Sequence, residues 1–464
     1  MDKTYLLANA SRPSGRQIKW QETEFYALIS YGLPVFTGKQ YGDGFTPPAV
    51  FWPEDMDTDS WCDTVKKSGM KGIVFTCKHY DGFCLWPTEY SDYSIKNSNW
   101  MDGKGDMVKL VADSCRKFGL KFGVYLAPWD RHEKTYGAGK AYDDFFCGLL
   151  KELLTKYGDV FCVWLDGICG ADEAHIQNYD WGRYYKLIRE LQPEAVISFR
   201  GPDVRWCGNE SGVTRKEEWS PVPAWMGVYE DGTSASPPKK HKDSYMQLDL
   251  GSRKAIKGEK SFLWYPCEVS LPMRSHWFHD EEDKFSVKTK DKLLKLYYNT
   301  VGNNSCLMLG LSPNKRGVLD ETDTQILCAL GYDLRMMFGS NLLETDIELS
   351  ASGGVDSVRN VISENMQSYW MSSEKDKKPE IEIKLGEDNV FDKLVLCENI
   401  ANGQRVEAFE VYALNEKGKW KLLFEGGSIG YKRICSLKPT RTQALKIVFT
   451  QFRDIPQISH IILN

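Results

Sequence analysis

Short apolar runs alternate with stretches of helical periodicity up to about residue 334. The apolar runs predict strands at residues 25–31, 72–78, 121–127, 160–165, 195–200, 261–265 and 305–311. The stretches between them predict helices at residues 59–67, 106–118, 142–157, 181–191 and 288–300. Residues 160–165 are apolar throughout, which is typical of a strand buried on both faces of a parallel sheet.

Repeated strand–helix units imply a parallel sheet, because parallel strands need a long crossover connection. This many units within roughly 330 residues predict an α/β fold with a (β/α)8-type, TIM-like barrel. We assign the barrel to residues 1–338. Residues 203–257 show little periodicity and are rich in Gly, Pro, Ser and charged residues, which predicts long loops over the barrel mouth.

The pattern changes after residue 338, where helical periodicity fades and short strand-like runs follow one another. The runs lie at residues 380–385, 393–396, 409–412, 420–423 and 445–449. Such runs, separated by turn residues, are typical of a β-sandwich. The sequence therefore predicts a second domain, a C-terminal β-sandwich at residues 339–464.

The composition excludes several classes of partner. The 464 residues carry a net charge of −5, which does not favour binding to nucleic acid or to an anionic membrane. No apolar run approaches membrane-spanning length. The first residues lack the apolar segment of a signal peptide, so we expect a cytoplasmic protein, with export after removal of a signal peptide as the alternative. Nothing in the pattern indicates the oligomeric state.

Metal and disulfide chemistry are not expected from the cysteine and histidine pattern. The 13 cysteines are scattered and form no CxxC pair, unlike a disulfide framework. His276 and His279 are three residues apart, but no further ligand lies near them in sequence. We therefore predict neither a metal site nor a cofactor.

Two of the predicted barrel strands end in a carboxylate followed by glycine. Asp81-Gly82 follows the strand at residues 72–78, and Asp166-Gly167 follows the strand at residues 160–165. Barrel enzymes carry their catalytic groups at the carboxyl ends of the strands. Asp-Gly also favours turns in any fold, so this pattern alone leaves a turn as the commoner interpretation of each pair.

Several longer motifs occur in a fixed order along the predicted barrel. They are HYDGF at residues 79–83, YSDY at 90–93, GVYLAPWD at 123–130, VWLDG at 163–167, WYPCE at 264–268, WFH at 277–279 and NTVGNN at 299–304. Together they resemble the glycoside hydrolase family 29 α-L-fucosidases, from about residue 20 to residue 334. The segment GPDVRWCGNE at residues 201–210 resembles the subgroup that acts on α-1,3/1,4-linked fucose in branched glycans.

The resemblance implies a retaining exo-glycosidase that removes terminal α-L-fucosyl residues from an oligosaccharide or glycoconjugate, without a cofactor. It implies that Asp166, in the VWLDG motif, is the nucleophile. Retaining enzymes need a second carboxyl group ~5–5.5 Å away to protonate the leaving oxygen. The subgroup resemblance implies Glu210 for that role; Glu217 and Glu218 are rivals, and solvated loop charges are the alternative for both.

The resemblance also implies a set of sugar contacts. His79 matches a position that bonds a ring hydroxyl, and Tyr125 matches one beside the nucleophile. Trp164 and Trp277 are predicted pocket walls, with core packing as the alternative for each. Arg274 is predicted to reach the leaving-group sugar, with a surface position as the alternative. In the C-terminal domain, GEDN at residues 386–389, NGQRV at 402–406 and GYKR at 430–433 resemble segments of discoidin-like β-sandwiches, whose role is either carbohydrate binding or structural support.

Three motifs of the predicted hydroxyl-binding set depart from the family pattern. Ser30 stands where the family has His, Gln40-Tyr41 replaces Glu-Trp, and Tyr80 replaces a second His. We keep these residues in the predicted substrate-binding set, while the catalytic carboxylates are unaltered. The departures favour two further hypotheses: an α-glycosidase for a related sugar such as L-galactose, or a glycan-binding protein with little or no turnover.

Overall fold

The structure is a computed structural model that describes residues 3–167, 176–234, 248–339, 341–344, 347–363, 365 and 367–464. Ten strands belong to the first part of the chain: β1 Phe25–Ile29, β2 Gly72–Lys78, β3 Lys121–Leu126, β4 Cys162–Leu165, β5 Val196–Phe199, β6 Arg205–Trp206, β7 Pro221–Pro223, β8 Phe262–Trp264, β9 Cys267–Pro272 and β10 Ser305–Leu311. Its helices are α1 Lys3–Ala10, α2 Gly15–Gln21, α3 Leu33–Thr37, α4 Thr58–Lys67, α5 Met107–Phe118, α6 Lys140–Lys156, α7 Trp181–Leu191, α8 Lys290–Thr300 and α9 Glu321–Phe338.

Eight parallel strands form the barrel, in the order β5-β4-β3-β2-β1-β10-β9-β6. A parallel bridge between Ser198 and Val204 joins the two ends of this order. Alternate residues of β1 show how the core is divided. Tyr26 and Leu28 pack inside the barrel, whereas Phe25 and Ile29 pack in the outer layer with the helices. The predicted α/β barrel is confirmed.

Helix α5 illustrates why the helices begin and end where they do. The Asp106 carboxylate accepts a hydrogen bond from the Lys109 amide and so caps the first turn. The helix ends at Gly119, whose φ of 69° is a conformation that suits glycine. Its buried face includes Val108 and Val111, which pack in the layer outside β2 and β3.

The strand pattern misled the prediction at one place in the barrel. The predicted strand at residues 261–265 is β8, but it pairs antiparallel with β7 outside the barrel. The barrel strands are instead β9 and the two-residue β6, which lies within the predicted loop region 203–257. A strand this short has no periodicity that a sequence pattern can detect. Helices α1, α2, α3 and α9 were likewise not among the predicted elements.

The C-terminal part is an antiparallel β-sandwich, as predicted. Its strands are β11 Ile347–Ala351, β12 Trp370–Met371, β13 Glu380–Glu398, β14 Val406–Leu414, β15 Trp420–Gly426, β16 Arg433–Phe452 and β17 Gln457–Leu463. The long strands β13 and β16 pair with each other through two register shifts, which let them bend around one core. Within the described residues, no helix of either part is long and apolar enough to cross a bilayer.

The sandwich packs against the end of the barrel where β1 and β10 begin. Lys432 forms an ion pair with Glu24, just before β1, and the Tyr431 amide donates to Asn304 at 2.8 Å, just before β10. Gln404 accepts a hydrogen bond from Asn304 at 3.3 Å. These C-terminal residues belong to segments that carry the discoidin-like resemblance, so the segments serve the contact between domains.

Lys432→Met is expected to lower the free energy of unfolding by about 3 kcal/mol at pH 7, because it removes a partner of a buried carboxylate. Burial raises the pKa of Glu24, but Lys432 and Lys71 outweigh burial and lower it to about 2. This pKa lies below that of an unfolded glutamate, so the ion pairs stabilise the fold above about pH 4.3. Their contribution is lost as the pH falls toward 2.

The measurement is urea unfolding of both proteins at pH 7 and at pH 3, where the difference between them should be smaller. Lys384→Met is the control, because its partner Glu348 is 78% exposed and the pair should contribute little. Equal losses in the two variants at pH 7 would contradict a stabilising role for the domain contact.

Candidate active site

An open cleft of about 740 Å³ lies at the carboxyl ends of the barrel strands. This is the end of the barrel at which such folds carry their active sites. The residues that line it come from strand ends and from the loops that follow: Leu28, Ser30, Gln40, Tyr41, Thr76, His79, Tyr80, Tyr125, Trp164, Asp166, Gly167, Phe199, Arg200, Trp206, Glu210, Pro272, Ser275, His276, Trp277 and Phe278.

Asp166 is the carboxylate at the floor of the cleft. It directly follows β4, and only 6% of its surface is exposed. The hydroxyls of Tyr80 and Tyr125 both donate to Oδ2, at 2.6 and 2.5 Å. Burial, together with the charge of Asp166, raises the pKa of both phenols, so each stays a donor. Two donors orient this carboxylate and stabilise its negative charge.

Tyr125 and Trp164 form the wall beside Asp166. They are paired in register on the neighbouring strands β3 and β4, and their rings stack with centroids 5.2 Å apart. The Trp164 indole donates to Oε1 of Glu268 at 2.8 Å, inside the barrel. Trp164 therefore lines the cleft with part of its indole ring, while the hydrogen bond from its N–H to Glu268 fixes the ring inside the barrel. The sequence analysis did not single out Glu268, although a glutamate within the buried strand β9 is the signal that could have done so.

Glu210 is the second carboxyl group of the cleft, and it lies at the exposed mouth on the loop after β6. The Trp277 indole donates to Oε2 at 3.2 Å. Partial burial raises the pKa of Glu210, the Trp277 hydrogen bond opposes this effect, and the charge of Asp166 adds to it. A raised pKa favours the protonated form that a general acid needs.

The two rivals of Glu210 lie elsewhere. Glu218 is buried and paired with Arg205 at 2.5 Å and Arg215 at 3.1 Å, which together outweigh burial and lower its pKa. Glu217 accepts a hydrogen bond from the Ser428 amide at 2.8 Å and pairs with Arg433 of the sandwich. Neither side chain lines the cleft. Both are structural ion-pair residues rather than solvated loop charges.

His79 is placed at the cleft as the resemblance implied. Its ring lies between β2 and Phe278, with ring centroids 4.8 Å apart in an edge-to-face contact. Burial, with smaller effects of Lys78 and Arg131, lowers its pKa to about 3, so the imidazole is neutral. Its buried Nδ1 finds no hydrogen-bond partner among the described residues, and the residue lines the cleft. Ser30, at the end of β1, lines the same cleft.

Gln40 and Tyr41 lie at the cleft on the loop after α3. The Gln40 carboxamide exchanges two hydrogen bonds of 3.0 Å with the backbone of Phe278. It therefore fixes the segment that presents Trp277, in addition to lining the cleft. Tyr41 is 56% exposed and stacks on Tyr80, with ring centroids 5.8 Å apart.

Both predictions for Arg274, a contact with the leaving-group sugar and a position at the surface, are wrong. The side chain is neither at the surface nor on the cleft: it is 2% exposed and pairs with Asp323 at 2.9 Å and Asp320 at 2.6 Å, at the start of α9. A buried guanidinium needs such partners because its desolvation is costly. Arg274 anchors α9 beneath the loop that carries Trp277.

The two Asp-Gly pairs have different structural roles. Asp81 forms a turn: its Oδ1 accepts a hydrogen bond from the Phe83 amide at 3.1 Å, and Gly82 has a φ of 83°. Asp166, by contrast, points into the cleft. Among the described residues, no group of three potential ligands is arranged to hold a metal. His276 and His279 each contact a different carboxylate, Asp283 at 2.9 Å and Asp320 at 3.0 Å.

Phe199 completes the wall that the sequence analysis missed. This residue ends β5 with a φ of 63°, a conformation that costs about 1–2 kcal/mol outside glycine. Its ring packs between Trp164 and Trp206, with centroid distances of 4.6 and 5.1 Å. A side chain at position 167 would collide with this ring, which explains why glycine follows Asp166. Phe199, Arg200 and Trp206 line the same cleft as Glu210.

Comparison with known proteins agrees with this geometry. The family model described as alpha-L-fucosidase matches residues 10–337, and that of the F5/8 type C domain matches residues 345–461. Alpha-L-fucosidase 1 of Arabidopsis thaliana is 33% identical over 460 residues, which cover 97% of this chain and 86% of the plant protein.

Two solved structures cover nearly all of the chain. A Ruminococcus gnavus GH29 fucosidase in complex with fucose is 29% identical, with a TM-score of 0.84, over 98% of this chain and 94% of that one. A glycoside hydrolase 29 family member from an unknown rumen bacterium is 31% identical, with a TM-score of 0.78, over 98% and 77%. The chain is thus a glycoside hydrolase that belongs to the α-L-fucosidase family, glycoside hydrolase family 29.

Proposed function

We propose that the chain removes terminal α-L-fucosyl residues with retention of configuration, using Asp166 as nucleophile and Glu210 as acid/base. The observation that carries the proposal is the unequal environment of two carboxyl groups on one cleft. Asp166 receives two phenol donors that stabilise its charge. The pKa of Glu210 is raised by partial burial and by Asp166, which favours its protonated form. In retaining glycosidases one carboxyl group is ionised and acts as the nucleophile, and the other is protonated and acts as the acid.

The reaction follows in two steps. Asp166 attacks the anomeric carbon while Glu210 donates a proton to the departing glycosidic oxygen, which leaves a glycosyl ester on Asp166. Glu210, now ionised, then takes a proton from water, and the water oxygen displaces Asp166 from the same face that the leaving group occupied. Neither step needs a cofactor.

The walls of the cleft suit a single terminal sugar. Trp164, Tyr125 and Trp277 present aromatic surface, and the neutral imidazole of His79 adds a polar ring to the same cleft. The fucose complex of the Ruminococcus gnavus relative supports fucose as that sugar. Trp206 and Glu210 also line this cleft, and we expect the rest of a branched α-1,3/1,4-fucosylated glycan to lie beside them.

Asp166→Ala is expected to lower kcat by on the order of 10⁴-fold or more, because it removes the carboxylate proposed to form the glycosyl ester. The measurement is hydrolysis of nitrophenyl α-L-fucoside and of a branched fucosylated oligosaccharide. Thermal unfolding should stay close to that of wild type. Asp92→Ala, whose side chain is 93% exposed, is the control that should keep full activity.

Near-normal turnover by Asp166→Ala would show that this mechanism is wrong. Glycan binding by the wild type without turnover of any substrate would instead favour the glycan-binding hypothesis.

Glu210→Ala is expected to damage oligosaccharide cleavage far more than cleavage of an aryl fucoside with a good leaving group, since the latter needs little protonation. The alkaline limb of the kcat/KM profile should disappear with the acid. Added azide should yield a fucosyl azide of retained configuration. Glu217→Ala is the control, because that residue contacts the sandwich. If Glu217→Ala gave this signature and Glu210→Ala did not, the roles would have to be exchanged.

The departures at Ser30, Gln40 and Tyr80 predict weak activity on plain aryl α-L-fucosides. Each of these replacements leaves a polar group without its hydrogen-bond partner, which costs about 1–3 kcal/mol of binding free energy. Better activity is expected on a branched fucosylated oligosaccharide or on an α-L-galactoside. The measurement is a panel of kcat/KM values, with an ordinary family member assayed in parallel. Equal values of the two enzymes on the aryl fucoside would show that other residues of the cleft compensate for the departures.

A further inference from the structure

The nucleophile proposed above receives hydrogen bonds from two phenols. Tyr125 donates to Oδ2 of Asp166 at 2.5 Å, and Tyr80 donates to the same oxygen at 2.6 Å. Tyr80 stands where the family pattern has His. The chemical role of this second phenol is therefore a question that the resemblance leaves open.

The Tyr80 ring is fixed independently of Tyr125. It lies on the loop after β2, is 3% exposed, and is held between Tyr41 and Trp129, with centroid distances of 5.8 and 4.8 Å. Tyr125 lies on β3 and stacks on Trp164. Separate packing contacts position each phenol. Both hydrogen bonds to Asp166 are therefore made by side chains that their surroundings hold in place.

The charge on Asp166 changes twice in the proposed reaction. The carboxylate is negative before attack, neutral in the glycosyl ester, and negative again after the ester breaks. A hydrogen bond to this group is strongest when the group is charged. Tyr80 therefore stabilises the resting nucleophile, which slows attack, and it stabilises the departing carboxylate, which speeds breakdown of the ester.

We propose that Tyr80 is a second charge-stabilising donor to the nucleophile and acts chiefly in breakdown of the glycosyl ester; the inference rests on the retaining mechanism proposed above. In that step the water oxygen bonds to the anomeric carbon and the bond from this carbon to Asp166 breaks. The electron pair returns to the carboxylate, and Glu210 takes the water proton. Tyr80 keeps its own proton throughout and contributes only its hydrogen bond.

The surroundings of Tyr80 support this role. Burial and the charge of Asp166 raise the pKa of its phenol, so it remains a neutral donor while the enzyme works. Histidine has an unperturbed pKa near 6.5, so its charge is the one most easily changed near neutral pH. The phenol thus provides a donor whose charge does not change with pH.

The test compares Tyr80→Phe with wild type on the nitrophenyl glycoside that wild type cleaves best, by stopped-flow and steady-state kinetics. Loss of the donor should lower kcat by about 10- to 100-fold, the range for a hydrogen bond to a charged group. KM should fall with it, so that kcat/KM changes by less than about threefold. A burst of nitrophenol should appear, and mass spectrometry should detect the glycosyl ester on Asp166.

Tyr31→Phe is the matched control, because Tyr31 is a buried tyrosine away from the cleft and its hydroxyl has no hydrogen-bond partner among the described residues. It should show wild-type kinetics. Tyr80→His retains a ring donor and should give a kcat between those of wild type and Tyr80→Phe; a kcat below that of Tyr80→Phe would overturn the inference.

Two other outcomes would also overturn the inference: kinetics of Tyr80→Phe equal to wild type, or a loss of kcat/KM that matches the loss of kcat without accumulated ester. Failure of the proposed function itself looks different, because wild type would then cleave no substrate through Asp166. Wild-type turnover that Asp166→Ala abolishes, together with unchanged Tyr80→Phe kinetics, would remove only the role of Tyr80.

Discussion

A carboxyl group inside the barrel determines how the cleft above it is built. Glu268 is fully buried, and burial raises its pKa. It accepts hydrogen bonds from Tyr26 on β1, Trp164 on β4 and Ser198 on β5. Leaving such a group without partners would cost several kcal/mol, so three strands must supply donors at one depth of the barrel. This requirement fixes the Trp164 indole, which supports Tyr125, and Tyr125 in turn orients Asp166. The position of Asp166 thus depends on a residue that is not among those lining the cleft.

Much of the fold could be predicted from periodicity, because long strands and amphipathic helices leave a repeating pattern. The barrel strands from β1 to β5 and β10 lie where apolar runs predicted them. Strand β6 could not be predicted, since two residues carry no period, and β8 resembled a barrel strand although it pairs with β7.

For the site, motif order placed Asp166 and Glu210 on one cleft. Ion pairs and hydrogen bonds between residues far apart in the chain could not be predicted from the sequence. Arg274 depends on Asp320 and Asp323, and the hydrogen bonds of Gln40 depend on the backbone of Phe278, so neither environment is visible locally.

The second domain supports the barrel from the end opposite the cleft. Its contacts reach residues just before β1 and β10, and the loop after Glu210 joins them through Glu217. Among the residues that the structure describes, those that line the cleft all belong to the barrel domain. The loop that bears Glu210 is therefore fixed at its far end by the second domain, while its near end is free to face substrate. Both domains therefore contribute to the position of the loop that bears Glu210.

The conformation of Phe199 has a consequence for how such an enzyme can change. Its positive φ opposes folding, and glycine at this position would relieve that strain. Glycine would also remove the ring that fills the space between Trp164 and Trp206. Truncating a packed phenylalanine ring costs about 3–5 kcal/mol, more than the strain that glycine would relieve. The packing of its own ring therefore keeps this residue in a strained conformation, and stability and a rigid wall favour the same side chain.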